Sequence, residues 1–183
     1  DLRELLRAAG RLEPRRAATI VDEVAGALDE AHRRGLVHRD VKPANVLIAS
    51  HEGVERAYLT DFGVCRQRAV GSDLTGTGLA IGSADYMAPE QAQGADVDAR
   101  ADIYSLGCVL FQTLTGTVPY DRDSDLEKLW AHAHEAPPAL RDARPDLPEE
   151  LGDVLARSMA KDPSERQPTA GALGRQALAA VGA

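Results

Sequence analysis

Residues 101–116 form a run with helical spacing and almost no polar side. Apolar side chains occupy most of its positions: Ile103, Tyr104, Leu106, Cys108, Val109, Leu110, Phe111 and Leu114. A helix that is apolar all round is stable only where other elements cover it, and this run is shorter than the about 18 residues that a membrane span needs. We therefore expect a buried central helix in a domain that is large enough to surround it.

Two amphipathic helices are expected before that run. A short one is capped by Asp1 and ends near Gly10. A longer one begins at Pro14, since proline favours the first helical position. It ends at Arg33-Arg34-Gly35, where positive charge and a glycine are typical of a helix C-terminus.

The rest of the chain predicts one pair of strands and three more helices. Residues 46–48 and 56–60 have the pattern of short strands around a turn at 51–53, which predicts a hairpin. Further helices are expected at 125–135, 149–160 and 169–181, and a proline-rich connecting loop at 136–148. The predicted fold class is mainly α with a small β-hairpin.

Charge and cysteine content exclude several kinds of protein. The 183 residues carry 21 Lys+Arg and 29 Asp+Glu, a net charge of −8, whereas nucleic-acid binders normally present a basic patch. Two isolated cysteines are too few for a disulfide framework or a zinc site, which favours a reducing compartment. We expect one domain without a membrane segment, located in the cytoplasm.

Three short strings carry the chemistry of this sequence. In chain order they are His38-Arg39-Asp40-Val41-Lys42-Pro43-Ala44-Asn45, Asp61-Phe62-Gly63 and Ala88-Pro89-Glu90. Together they resemble the catalytic loop, metal-binding loop and activation segment of a bacterial Hanks-type serine/threonine protein kinase. The resemblance covers the whole chain and is to the large, C-terminal lobe. It implies hinge-proximal helices, catalytic loop and hairpin at 1–60, an activation segment at 61–90 and a helical subdomain at 91–183.

The resemblance implies transfer of the γ-phosphate of ATP to Ser/Thr hydroxyls of protein substrates. Asp40 would accept or orient the substrate hydroxyl, and Lys42 would place a cation on the γ-phosphate. Asn45 and Asp61 would hold Mg²⁺ or Mn²⁺ beside the phosphates. Leu47 would lie beneath the adenine ring, although plain core packing is an equal alternative for this residue.

Further matches to the family imply regulation by phosphorylation and a turn that binds the substrate. Arg39 directly precedes Asp40, and kinases with this arginine are commonly activated by a phosphate that pairs with it. Thr75 and Thr77 are the candidate phosphosites, with unmodified loop threonines as the alternative, and kinase–kinase encounters would allow autophosphorylation in trans. Ser83 stands at the substrate-binding turn and is expected to bond to Asp40 and Lys42.

The remaining matches imply structural contacts. Asp102 would hold the backbone of the His38-Arg39 turn, and Glu90 would form a buried ion pair with Arg166. Outside the resemblance, His132 and His134 could suggest a metal site. Residues two apart on a helix do not share a face, so we expect both histidines to be solvated.

The small lobe of a kinase is not recognisable in this sequence. Its strand lysine is absent, since Lys42 is the first lysine of the chain. We therefore expect a small lobe to precede Asp1 in cis, and the isolated chain to be inactive without it. The alternative is a non-catalytic, kinase-like module that docks substrates or regulators through residues 125–135 and the activation segment. A small-molecule kinase of related fold is less favoured, since the segment ending at Glu90 suits protein substrates.

Overall fold

The structure is a computed structural model that describes residues 1–62 and 83–182. Thr75 and Thr77 lie outside these residues. The described part is mainly helical, with one two-stranded sheet. Its α-helices are α1 (Leu2–Ala9), α2 (Pro14–Arg33), α3 (Pro89–Ala92), α4 (Ala99–Thr115), α5 (Asp125–His134), α6 (Leu140–Ala143), α7 (Glu149–Ser158) and α8 (Ala170–Gly182). Single 3₁₀ turns lie at Pro43–Asn45, Ala84–Tyr86 and Pro163–Glu165.

Helix α4 lies at the centre of the molecule, as its sequence predicts. Every residue from Ala101 to Phe111 is buried, because α2, α7 and α8 pack around it. The side chain of Asp98 accepts the amide hydrogen of Arg100 at the start of the helix, and Gly116 ends it in the left-handed conformation. The predicted central helix is therefore confirmed.

Helix α2 packs against α4 and makes extensive contact with α8. Its buried stripe repeats with helical spacing and includes Ile20, Val21, Val24, Ala25 and Leu28. The predicted bounds are confirmed, since Pro14 occupies the first turn and the helix ends at Arg33. Asp1 caps α1 by accepting the amide hydrogen of Glu4, 2.9 Å away.

The hairpin consists of β1 (Val46–His51) and β2 (Val54–Leu59), paired antiparallel from Val46 with Leu59 to His51 with Val54. Its strands are longer than the predicted 46–48 and 56–60, because backbone pairing continues toward the turn. In β1 it continues through residues 49–51, which are all exposed and show no alternation of burial. Two ion pairs fix the hairpin to α2: Arg16 with Glu55 at 2.6 Å and Arg56 with Glu23 at 2.7 Å.

Two sequence-based expectations need correction. The expected loop at 136–148 contains α6, whose single turn is too short to give a helical period but buries Leu140. The prediction that His132 is solvated is wrong, since this residue is completely buried. It shares the inward face of α5 with Leu129, three residues earlier, whereas His134 is exposed and stacks on Trp130.

Among the described residues, no helix is both long and apolar enough to cross a membrane.

Candidate active site

The backbone before Asp40 is fixed to the central helix by one buried carboxylate. Asp102, in the first turn of α4, accepts the amide hydrogens of His38 at 2.8 Å and Arg39 at 2.7 Å. His32 of α2 contributes a third bond to the same carboxylate, at 2.7 Å from Nε2. Arg39 has a φ of 64°, a conformation that costs a non-glycine residue on the order of 1–3 kcal/mol. The bonds to Asp102 hold this strained turn in place.

His38 joins the same loop to the end of the hairpin. Its Nδ1 accepts the amide hydrogen of Asp40 at 3.3 Å, so Nε2 carries the hydrogen that is donated to the carbonyl of Thr60 at 2.8 Å. The imidazole ring also packs on Phe62, with ring centroids 4.8 Å apart. His38 is buried, and both ring nitrogens are used for these structural bonds.

Asp40, Lys42 and Ser83 form a triangle of short polar contacts. The Lys42 ammonium lies 2.9 Å from Oδ2 of Asp40 and 3.0 Å from Oγ of Ser83. The Ser83 hydroxyl donates to Oδ1 of Asp40 at 3.1 Å. The structure therefore brings together three of the residues that the sequence singled out, and it fixes the orientation of the Asp40 carboxylate from two sides.

Asn45 and Asp61 lie at the open end of the hairpin. The backbone amide and the hydroxyl of Thr60 both donate to the carbonyl of Asn45, at 2.9 and 3.1 Å, so Asp61 follows directly on a residue bonded to Asn45. The side-chain amide of Asn45 donates to the carbonyl of Asp40 at 2.8 Å. Its oxygen Oδ1 is therefore the atom that this side chain can offer to a metal ion, and the Asp61 carboxylate is exposed.

These two oxygen donors fit a hard cation. Mg²⁺ is usually held in phosphate-transfer sites by one or two side chains together with substrate phosphates and water. Among residues 1–62 and 83–182, no cluster of three or more His, Cys, Asp or Glu side chains forms a self-contained metal site. The donor set therefore suits a metal ion that arrives with a phosphate ligand better than a metal held by protein side chains alone.

The turn at Ser83 is anchored by residues that the sequence reasoning missed. The Tyr86 hydroxyl donates to Gln112 at 2.6 Å, and the Ser105 hydroxyl donates to the carbonyl of Tyr86 at 2.7 Å. Gln91 donates to the carbonyl of Arg39 at 3.0 Å. Ser105 and Gln112 are polar residues inside the mostly apolar run of α4, and that contrast is the signal that would have identified them.

Glu90 and Arg166 meet in a buried, two-pronged ion pair. The two terminal guanidinium nitrogens, Nη1 and Nη2, donate to the two carboxylate oxygens at 2.6 and 2.8 Å. Arg166 also donates to the carbonyl groups of Ala160 and Arg100 at 2.9 Å. The pair thus joins α3 to the segment between α7 and α8.

Leu47 and Arg39 are the remaining predicted site residues that the structure describes. Leu47 is 47% exposed, so the alternative of core packing is wrong, and an apolar surface is open at the edge of the hairpin. Arg39 is half-buried next to Asp40. Its relation to Thr75 and Thr77 stays a prediction, since those residues lie outside the described part.

Comparisons with known proteins identify the family of this chain. The family model for the protein kinase domain matches residues 1–177. The chain is 42% identical to serine/threonine-protein kinase PknB of Mycolicibacterium smegmatis, over 92% of this chain and 27% of that protein. It is 47% identical to PknD of Mycobacterium tuberculosis, over 94% of this chain and 26% of that protein. The chain therefore spans about a quarter of the length of these curated relatives.

A solved structure shares the fold of this chain. The crystal structure of the Mycobacterium tuberculosis PknI kinase domain superposes with a TM-score of 0.68 at 36% identity, covering 92% of this chain and 55% of that one. The resemblance in the catalytic strings, the family match and this shared fold agree. The chain belongs to the protein kinase domain family.

Proposed function

We propose that this chain is the large lobe of a bacterial serine/threonine protein kinase that transfers the γ-phosphate of ATP to Ser/Thr hydroxyls of proteins. The observation that carries the proposal is the triangle of Asp40, Lys42 and Ser83, within 3.1 Å of one another. It brings together a carboxylate, an ammonium group and the turn that begins at Ser83, which supports the substrate-binding role proposed for that turn. Phosphoryl transfer depends mainly on such positioning and on neutralised charge.

Asp40 orients the acceptor hydroxyl and takes its proton. As that oxygen bonds to the γ-phosphorus, the bond from phosphorus to the bridging oxygen breaks and ADP leaves. Lys42 stands beside Asp40 and neutralises negative charge on the transferred group. Ser83 keeps the Asp40 carboxylate oriented toward the acceptor hydroxyl of the substrate.

Asn45 and Asp61 are the residues that would hold Mg²⁺ or Mn²⁺ with the nucleotide. When bound, the metal ion supplies positive charge that stabilises the phosphate oxygens. Leu47 would contact the adenine ring with its exposed side chain. The proposal divides the chain into the catalytic loop and hairpin within 1–60, the activation segment at 61–90, and the helical subdomain at 91–183.

Activity requires a small lobe in cis, since this sequence has no recognisable strand lysine for the α- and β-phosphates. We infer that the isolated chain is inactive. Phosphorylation of Thr75 or Thr77, paired with Arg39, would activate the enzyme, and a second copy could perform that phosphorylation in trans. We place this lobe in the cytoplasm, alone or as part of a membrane-anchored receptor kinase.

A non-catalytic binding module is the second candidate. It is favoured by the outer face of α5, where Leu126 is 77% and Trp130 57% exposed. Large apolar side chains exposed next to each other often mark a surface that binds another protein. Such a surface is also compatible with a kinase, so it does not replace the first proposal.

Nucleotide binding and turnover distinguish the two functions. The chain joined to its small lobe is titrated with ATP and Mg²⁺ by calorimetry, and then assayed with a Ser/Thr peptide. We expect metal-dependent ATP binding and peptide phosphorylation by the joined protein, and no turnover by the isolated chain. A joined protein that binds ATP with Mg²⁺ but phosphorylates nothing would favour the binding module.

A further inference from the structure

A cleft of about 620 Å³ opens directly from the candidate site. Helix α1 forms one wall, and the turns at Pro43–Asn45 and Ala84–Tyr86 and the end of α4 form the others. Its charged and amide lining consists of Arg3, Arg7, Lys42, Asn45, Asp85 and Gln112. Because Lys42 and Asn45 also border Asp40, a peptide chain leaving the acceptor position has a path into this cleft.

The cleft is positive although the whole chain is negative. Lys42 is paired with Asp40 at 2.9 Å, so the positive charge of the lining comes from Arg3 and Arg7, against the single carboxylate of Asp85. That carboxylate is already paired with Lys128, 2.7 Å away. The chain as a whole carries a charge of −8, so this positive surface is a local feature of the cleft.

The two arginines are available to a ligand. Both are exposed. Within residues 1–62 and 83–182, the guanidinium of Arg3 makes one long contact with a carboxylate, 3.4 Å to the neighbouring Asp1. Arg3 lines the same cleft as Asp85 and Tyr86. Arg3 therefore lies near the turn that follows Ser83.

The spacing of the arginines suits an extended peptide. Residues four apart lie on the same face of a helix, about 6 Å apart along its axis. Alternate residues of an extended chain point to the same side and are about 6.6–6.8 Å apart. Two acidic side chains at alternate positions of a substrate could thus meet Arg3 and Arg7 together.

We propose that Arg3 and Arg7 select protein substrates that carry acidic side chains on one flank of the acceptor Ser/Thr. This inference rests on the proposed kinase function and adds a substrate preference to it. Arg3 and Arg7 act as specificity-determining residues, and neither takes part in the chemical step.

Four peptides test the preference with the two-lobed protein. They share one acceptor and differ in having Glu or Lys at alternate positions before it or after it. On one flank, we expect kcat/KM for the Glu peptide to be about tenfold higher than for the Lys peptide. Two exposed charge pairs would account for this, since each raises kcat/KM a few-fold. The double variant Arg3→Gln/Arg7→Gln should reduce that ratio to about twofold or less. Added salt should reduce it as well.

Arg141→Gln is the matched control. Like Arg3, Arg141 is exposed and has a carboxylate partner at 3.4 Å, but it does not line the cleft. This variant should keep the preference of the unmodified protein.

Direct binding separates failure of this inference from failure of the proposed function. Fluorescence anisotropy compares the labelled Glu peptide on the unmodified protein and on the double variant. Equal binding to both, or equal kcat/KM for Glu and Lys peptides on both flanks, would overturn the inference. Weaker binding to the double variant without phosphorylation of any peptide would support the charge selection and contradict the kinase function.

Discussion

At the scale of single residues, Asp102 connects the central helix to the candidate catalytic loop. Its two carboxylate oxygens accept hydrogen bonds from two successive backbone amides and from His32. The Asp102 side chain is completely buried, so these hydrogen bonds are shielded from water. The position of Asp40 therefore depends on a residue that would never touch substrate.

Asp102→Asn should lower both stability and activity. An amide has one acceptor oxygen, so at least one of the amide hydrogens of His38 and Arg39 loses its partner, at a cost of about 1–3 kcal/mol. Urea unfolding measures the free-energy change, and peptide phosphorylation by the two-lobed protein measures kcat. Asp98→Asn, at the exposed N-terminus of the same helix, is the control and should change little. Unchanged kcat in Asp102→Asn would contradict the positioning role.

His132 should make stability depend on pH. Burial, with a smaller contribution from the Lys161 ammonium, lowers the pKa of His132 from 6.5 to about 4. The unfolded chain then takes up a proton as the pH falls below 6.5, whereas the folded chain does not until about pH 4. The stability contribution is fully present above pH 6.5 and is lost as the pH falls toward 4.

Between pH 7 and pH 5 the free energy of unfolding should therefore fall by about 2 kcal/mol because of this residue. Urea unfolding at both values measures the fall, and His132→Gln should remove that part of it. His134→Gln, on the exposed face of α5, should retain the full dependence. A fall of the same size in His132→Gln would show that other groups cause it.

Site residues could be predicted from the sequence only where they lie close together along the chain. Residues 38–45 form one continuous string, so the candidate base, lysine and asparagine could be named without a structure. The bond from Gln91 to Arg39 and the burial of His132 could not. Both depend on which elements pack together, and the spacing of residues along the chain does not encode that.

At the scale of elements, the contact of α4 with α7 depends on the absence of a side chain at Gly107. A Cβ atom built there would lie 2.9 Å from Cβ of Ser158 and 3.2 Å from Met159. Ser158 cannot easily move away, since its hydroxyl donates to the carbonyl of Leu155 at 2.8 Å. The close approach of the two helices is therefore sensitive to a single methyl group.

Gly107→Ala should destabilise the protein by about 1–3 kcal/mol, because overpacking outweighs the better helix propensity of alanine. Gly26→Ala is the matched change in α2, where a Cβ atom would meet nothing within 4 Å. It should stabilise by about 0.5–1 kcal/mol. Thermal unfolding compares the two, and a stabilising Gly107→Ala would show that the helices are not in such close contact.

The predictability of an element followed its length and the regularity of its pattern. Helix α4 was predictable because a helix that is apolar on all sides and too short to span a membrane must be buried, and α2 because its stripe runs over 20 residues. Helix α6 was not, since four residues give no period. The outer end of β1, residues 49–51, is exposed on both sides, so its pairing could not be predicted from an alternation of burial.

At the scale of the whole molecule, the Glu90–Arg166 pair joins segments that are 76 residues apart in sequence. Removing one partner of such a pair leaves a buried charge uncompensated, which costs about 3–5 kcal/mol. We expect Arg166→Met to lose about that much in urea unfolding. The exposed pair Arg141–Glu149 is the control, and Arg141→Met should lose less than about 1 kcal/mol. Similar losses in both variants would contradict the structural role of the buried pair.

In the proposed mechanism the large lobe supplies Asp40, the residue that takes the proton during phosphoryl transfer. The most direct measurement compares kcat for a Ser/Thr peptide in the two-lobed protein and in its Asp40→Asn variant, with Asp142→Asn, an exposed change on α6, as the control. We predict that Asp40→Asn lowers kcat by about 10²–10⁴ while ATP binding is retained and Asp142→Asn is unaffected. Equal kcat in all three proteins would contradict this mechanism.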